Sequence, residues 1–240
     1  MVIKALTHCY AWQPDTRIRS CVGGIMIKAG ANEGQFAELI RDLCPRAQVY
    51  SFEPLPDVHN LLQRRFRDDP AVIPVHCGLS DQAGRVLMNR SAFTPSSSLL
   101  PMADLHRTEF PHTAEQTTVE IEVQRLDDWM TSSGLQAGPH LLIKLDVQGH
   151  EQAVIRGGTD TLRQARLAVV EVSFFELYER QPLFDDIYRQ LNALGYVYRG
   201  SLEQTFSHQQ DRILFADALF ENLGLGQGNA TTDPPPDPDR

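Results

Sequence analysis

Ile25-Met26-Ile27-Lys28-Ala29-Gly30-Ala31-Asn32-Glu33-Gly34-Gln35-Phe36 decides the fold. An apolar run of strand length meets a Gly-x-x-x-Gly turn, and Phe36, Leu39, Ile40 and Leu43 then recur at helical spacing. Only Lys28 interrupts the run, the pattern of a strand buried on both faces. Strand, glycine turn and helix in that order open a nucleotide-binding α/β unit. Gly30 permits the tight turn, and Gly34 permits close backbone approach to a ligand at the helix N-terminus. Asn32 is placed to cap a helix that Cys44-Pro45 ends. Two glycines alone also fit an ordinary strand-to-helix turn, so the next segments carry the decision.

Gln48–Phe52 reads as the second strand and ends in Glu53-Pro54, which puts Glu53 23 positions after Gly30. A carboxylate about 20 residues past a glycine turn, at a strand tip, is placed to accept hydrogen bonds from two ribose hydroxyls. Asp57 starts a helix carrying Val58, Leu61, Leu62 and Phe66, and a third strand follows over residues 72–77. It leads into Gly78-Leu79-Ser80-Asp81. Ligands of open α/β sheets lie beyond the C-terminal strand ends, so Leu79 would wall an adenine and Ser80 or Asp81 would meet its exocyclic amine. A plain turn explains the same residues equally well.

Residues 85–89 and 119–125 are shorter strand candidates; in the second, Val119, Ile121 and Val123 alternate with polar residues, so one face is buried. Between them, residues 91–118 are rich in Ser, Thr, Pro and His, too long for a structureless connector, and read as a lid or substrate loop. Residues 141–145 form another buried strand, followed by Asp146-Val147-Gln148-Gly149-His150-Glu151 and a helix from about Glu151. Polar groups gathered at that strand end point to a site, with a structural Lys144–Glu171 ion pair as the alternative. Residues 167–172 are a fifth core strand, residues 182–194 an amphipathic helix stopped by Gly195, and residues 196–198 and 212–216 an antiparallel pair at one edge of the sheet. Residues 1–24 read as a leader packing loosely on the domain of residues 25–220. Residues 221–240, rich in Gly, Asn and Asp-Pro, read as a disordered tail.

At 240 residues the chain is long enough for one domain with a sizeable core. Its 22 Lys and Arg against 31 Asp and Glu give a net charge of −9 with no basic block, so no nucleic-acid partner is expected. No apolar stretch reaches the ~20 residues of a membrane span, and no secretory h-region is present, so no membrane association and a cytoplasmic location are expected. Cys9, Cys21, Cys44 and Cys77 lack metal-ligand spacing and read as reduced thiols.

Strands alternating with helices make a doubly wound, mostly parallel α/β sheet. Gly30-Ala31-Asn32-Glu33-Gly34, Ser51-Phe52-Glu53-Pro54, Leu79-Ser80-Asp81, Ser96-Ser97-Ser98-Leu99-Leu100, Ile143-Lys144-Leu145-Asp146-Val147-Gln148-Gly149-His150-Glu151 and Val170-Glu171-Val172 together resemble the FkbM family of S-adenosylmethionine-dependent methyltransferases. The resemblance implies a seven-stranded class I methyltransferase fold with an antiparallel strand at the edge, and methyl transfer to a hydroxyl of a small-molecule or glycan acceptor, on sugars or natural products. It places Gly30, Ala31, Asn32 and Gly34 under the methionine part of the cofactor. Glu53 would hold the ribose, Leu79, Ser80 and Asp81 would border the adenine, and Asp146 would stand near the sulfonium. Asp146, His150 and Glu171 are the candidates to take the hydroxyl proton; Mg²⁺ held by Asp146 and a second carboxylate is the less favoured alternative. Lys28 departs from the pattern, since the family usually has an acid there, and Gln148 stands where a glutamate is common. Lys28 either points away, pairs with a carboxylate such as Glu33, or impairs cofactor binding. A methyltransferase-like module with impaired cofactor binding, or an NAD(P)-dependent oxidoreductase, are the other readings.

Overall fold

The computed structural model describes residues 16–19 and 23–226. A short helix α1 (Thr16–Arg19) seats Ile18 in the core; the rest of the leader reading, and most of the expected tail, lie outside the described residues. Then come β1 (Ile25–Ala29), α2 (Gln35–Leu43), β2 (Gln48–Phe52), α3 (Pro56–Arg65) and β3 (Val72–Val75). β4 (Gly78–Leu79), β5 (Gly84–Ser91), α4 (Asp104–Glu109), β6 (Gln116–Gln124) and α5 (Leu126–Ser133) form the middle of the chain. It finishes with β7 (Leu142–Leu145), α6 (Glu151–Gly157), α7 (Thr159–Gln164), β8 (Leu167–Ser173), α8 (Phe184–Asn192), β9 (Tyr196–Phe206) and β10 (Ile213–Asn222).

Seven strands make one sheet in the order β3-β2-β1-β7-β8-β10-β9. The first five are parallel; β10 runs antiparallel to both β8 and β9, so the β9–β10 pair closes one edge. The central strands are apolar along their whole length because helices cover both faces. Ile27, Ile143 and Val170 face one layer, while Met26, Leu142 and Val169 face the other with Phe36 and Ile40 of α2. From β1 the chain winds outward through β2 and β3, then returns to β7 on the opposite side. That reversal opens a crevice at the C-terminal ends of β1 and β7. No helix among the described residues is long and apolar enough to cross a membrane.

Three sequence expectations need correction. Residues 85–89 and 119–125 extend to Gly84–Ser91 and Gln116–Gln124 and leave the main sheet: with β4 they form a second, three-stranded sheet. Val119, Ile121 and Val123 bury one face of it against Leu55 and Val58, which roofs the crevice beside β2. Asn222 does not begin the tail. It ends β10, donating its backbone N–H to Arg166 O at 2.8 Å and its side-chain amide to Arg163 O at 3.2 Å, and a 3₁₀ turn follows at Gly224–Gly226. Asn32 does not cap α2, which begins at Gln35 behind Gly34 in the left-handed region.

Candidate active site

A cleft opens at the C-terminal ends of β1, β2 and β7, under the second sheet. One wall is apolar: Leu55, Leu79, Met88, Leu99, Ile121 and Val123. The opposite wall is polar, with Asn32, Glu53, Asp146, Gln148 and His150. Its two-sided character suits a nucleoside carrying a polar arm.

The glycine turn is built by steric exclusion. Gly30 has φ +71°, and a Cβ there would overlap the backbone carbonyl of Asp146, so its absence lets the β1 and β7 ends close up. Gly34 serves packing instead of ligand approach: a Cβ there would press on Leu62 at 2.7 Å and on Phe66. Ala31 is buried, with its N–H donating to Phe52 O at 2.8 Å. Neither Ala31 nor Gly34 lines the cleft. Asn32, at φ +48°, donates its backbone N–H to Glu53 Oε2 at 2.8 Å, and its side-chain amide donates to Thr94 Oγ1 at 3.4 Å.

Glu53 accepts a second amide, Leu55 N–H, on Oε1 at 3.0 Å, so two backbone donors hold its carboxylate against the cleft. Burial still pushes its pKa up to about 7, over the opposing pull of those amides. Leu79 lines the apolar wall, but Ser80 and Asp81 are turned elsewhere. Asp81 takes Arg156 through two guanidinium nitrogens, at 2.8 and 2.9 Å. Ser80 Oγ lies 2.9 Å from His150 Nε2. Burial lowers the pKa of His150, which keeps the cleft-lining imidazole neutral.

Sheet register gathers the charges. Lys28 and Lys144 are Cα partners across β1 and β7, and Glu171 and Asp217 are partners across β8 and β10. Neighbours across strands share a face, so four ionisable groups meet at one end of the sheet. Lys28 Nζ donates to Asp146 Oδ2 at 3.0 Å and to Ala29 O at 3.1 Å. Its partner is therefore Asp146 and not Glu33, and it is buried rather than turned away. Lys144 pairs with Asp217 at 2.5 Å and reaches Asp146 at 3.7 Å. Burial alone would raise the Asp146 carboxyl, but the two ammonium groups outweigh it and hold the pKa far below the usual range.

Gln148, with φ +55°, ties this cluster together. Its side-chain amide donates to Asp146 Oδ1 at 3.0 Å and to Glu171 Oε1 at 2.9 Å, and its Oε1 lies 2.9 Å from the Tyr178 hydroxyl. Ser98 Oγ donates to Gln148 O at 2.6 Å, so residues 91–118 are pinned over the cleft there and again by the Met102–Tyr178 bridge. Glu171, half-buried among carboxylates, has its pKa raised well above the ordinary range and stands behind Gln148, outside the cleft lining. Sequence reasoning missed Tyr178, whose only signal was a tyrosine just past a core strand. A divalent cation does not fit this donor set: Asp146 spends its oxygens on Lys28 and Gln148, and no group of three metal-ligating side chains occurs among the described residues.

The sequence profile described as "Methyltransferase FkbM domain" matches residues 28–198. The "2-O-methyltransferase NoeI" of Sinorhizobium fredii is 30% identical over 168 residues, covering 65% of this chain and 66% of the relative. The "Hexuronic acid methyltransferase AglP" of Haloferax volcanii is 30% identical over 128 residues, covering 53% of this chain and 48% of that one. The chain thus spans about half to two thirds of the length of these curated relatives. Among solved structures, Aeropyrum pernix fibrillarin with bound S-adenosyl-L-methionine superposes with a TM-score of 0.45 at 14% identity, over 83% of this chain and 66% of that one. That likeness is too loose to bear on chemistry. The profile match, spanning the glycine turn, the Glu53 strand end and the Asp146 segment, carries the conclusion: the chain belongs to the methyltransferase FkbM domain family.

Proposed function

We propose that this chain binds S-adenosylmethionine in the cleft and transfers its methyl group to a hydroxyl of a sugar or natural-product acceptor. The observation that carries the reading is the pairing of an apolar wall (Leu55, Leu79, Ile121, Val123) with the Glu53 carboxylate across one cleft. Each Glu53 oxygen accepts one backbone amide and keeps lone-pair capacity for a ribose hydroxyl. Gly30 and Asn32 would border the amino-acid arm, Asp146 would stand near the sulfonium, and Leu79 would border the base. The 2-O-methyltransferase among the relatives supports an oxygen acceptor, and the hexuronic acid methyltransferase supports a sugar.

When bound, the cofactor supplies an electrophilic methyl that passes in line to an oxygen, so the protein's task is alignment and removal of one proton. Asp146 is a poor proton acceptor because Lys28 and Lys144 stabilise its ionised form. Its part is to hold position. His150 is the better base: neutral, at the cleft wall, with Ser80 fixing one ring nitrogen. Glu171 acts through Gln148 as a positioning group.

The test is calorimetric titration of S-adenosylmethionine into the full chain, followed by transfer of labelled methyl to a panel of mono- and oligosaccharides. Micromolar cofactor binding with label in a sugar ether supports the reading. Binding of NAD(P) instead would overturn it, although family membership weighs against that outcome. Binding of neither S-adenosylmethionine nor NAD(P) would favour the methyltransferase-like module with impaired cofactor binding, the alternative that Lys28 raises.

A further inference from the structure

His150 is held from several sides. It caps α6, its carbonyl accepting the Ala153 and Val154 N–H groups at 3.1 and 3.2 Å, while the Glu151 carboxylate turns back to the Val147 and Gly149 amides. α6 packs directly on the turn after β4: a Cβ on Gly157 would overlap the Ser80 carbonyl. That close approach sets Ser80 Oγ 2.9 Å from His150 Nε2, with Asp81 Oδ1 3.4 Å from the same oxygen. Arg156 takes the other carboxylate oxygen, Oδ2, through two guanidinium nitrogens, so Oδ1 is left for Ser80.

Hydrogen-bond capacity orders the protons along this line. Burial would raise the Asp81 carboxyl, but Arg156 outweighs it and holds the pKa below its usual value, so Asp81 is ionised and can only accept. The Ser80 hydroxyl has one proton. If it points to Nε2, two lone-pair oxygens face each other at 3.4 Å; if it points to Oδ1, Oγ accepts from Nε2–H and both bonds are made. A neutral ring with its proton on Nε2 has Nδ1 as its acceptor. Nδ1 meets no hydrogen-bond partner among the described residues, and the half-buried ring lines the cleft. Glu53 and Asp146 share that cleft. Burial favours the neutral ring, the Asp81 charge opposes it and Arg156 adds to it. We propose that Ser80 and Asp81 are positioning residues: the line from Asp81 Oδ1 through Ser80 Oγ to His150 Nε2 fixes the ring proton on Nε2 and presents Nδ1 to the acceptor hydroxyl. The acceptor O–H bond breaks, an Nδ1–H bond forms, and the electron pair stays on the oxygen. The imidazolium then donates Nε2–H to Ser80, whose hydroxyl donates to Asp81, and no proton passes to the carboxylate. This inference rests on the reading of His150 as the base.

The experiment is NMR of the full chain with isotope-labelled histidine rings, His150 being assigned with His150→Gln; it reports which ring nitrogen carries the proton without any ligand. The neutral ring of the unaltered chain should hold its proton on Nε2. Asp81→Asn, whose amide can donate to Ser80 and turn the hydroxyl toward Nε2, and Ser80→Ala should each move the tautomer ratio toward Nδ1–H by roughly tenfold. Asp81→Asn should also lower the titration midpoint of the ring. A ring protonated on Nδ1 in the unaltered chain would overturn the proposal, whether or not any variant folds. So would an unchanged ratio in both variants. Methyl transfer to the saccharide panel tests the reading beneath it, with a loss of roughly a hundredfold or more expected in His150→Gln. Full transfer by that variant would remove His150 as the base and leave the cofactor reading intact, whereas no transfer by the unaltered chain would remove the methyltransferase reading. Either result takes the proposal with it, whatever the tautomer.

Discussion

Gly30→Ala tests the steric logic of the turn. Gly30 has φ +71°, where an L-residue costs about 1–2 kcal/mol. The added Cβ would also overlap the Asp146 carbonyl, which belongs to backbone and cannot rotate away. Relief requires the β1 and β7 ends to separate, stretching the Asp146 N–H to Ala29 O hydrogen bond from its 3.3 Å. Overpacking of this kind adds about 1–3 kcal/mol, for a total of about 2–5 kcal/mol. That is a large share of the roughly 5–15 kcal/mol that holds a domain together. Urea unfolding followed by circular dichroism reads it as a lower midpoint at unchanged slope. Gly84→Ala is the control. Gly84 also has a positive φ, +151°, but no atom lies within 4 Å of its added Cβ, so only the torsional penalty applies. If Gly30→Ala loses no more stability than Gly84→Ala, the close approach of β1 and β7 is not what Gly30 provides.

Other substitutions probe the polar wall. Glu53→Gln turns an amide donor toward the Asn32 or Leu55 N–H, so it should cost about 1–3 kcal/mol in stability and at least roughly tenfold in S-adenosylmethionine affinity by calorimetry. The same residue gives a pH signature. Its carboxyl is raised from 4.5 to about 7 on folding, so the folded chain keeps a proton that the unfolded chain loses in that window. Stability from this group is full below pH 4.5, falls as pH rises and is gone above pH 7, an upper limit of about 3 kcal/mol. Urea midpoints at pH 5 and pH 8 should therefore differ less in Glu53→Gln than in the parent. Tyr178→Phe strips the Gln148 carbonyl of its hydroxyl partner and should cost about 1–2 kcal/mol; an unchanged urea midpoint would show that water replaces it. Asp146→Asn deprives the buried Lys28 of its carboxylate, with an expected loss of about 3–5 kcal/mol, whereas a stabilised variant would mean that the ion pair is a burden on folding.

The sequence by itself determined the strands and helices of the parallel core. Continuous apolar runs at Ile25–Ala29 and residues 141–145 and 167–172 can satisfy their side chains only between two layers of helix. The Gly30 turn and the Glu53 strand tip also read directly, because a tight turn and an acid at fixed distance are local features. What the sequence did not show was the direction of side chains. Glycine at position 34 has the same signature whether it clears a ligand or a neighbouring helix, and only the arrival of Leu62 and Phe66 from α3 decides for packing. Ser80 and Asp81 looked available to a ligand until His150, at the cap of α6, and Arg156 within it came against them. The charge state of the site was the least legible of all. Lys28 and Asp146 are 118 residues apart, and their pairing depends on the register that sets β1 beside β7. Local pattern fixes which residues can form strands, turns and tips, but a carboxylate's partner, and hence its chemistry, is fixed by strand order, which is a property of the whole chain.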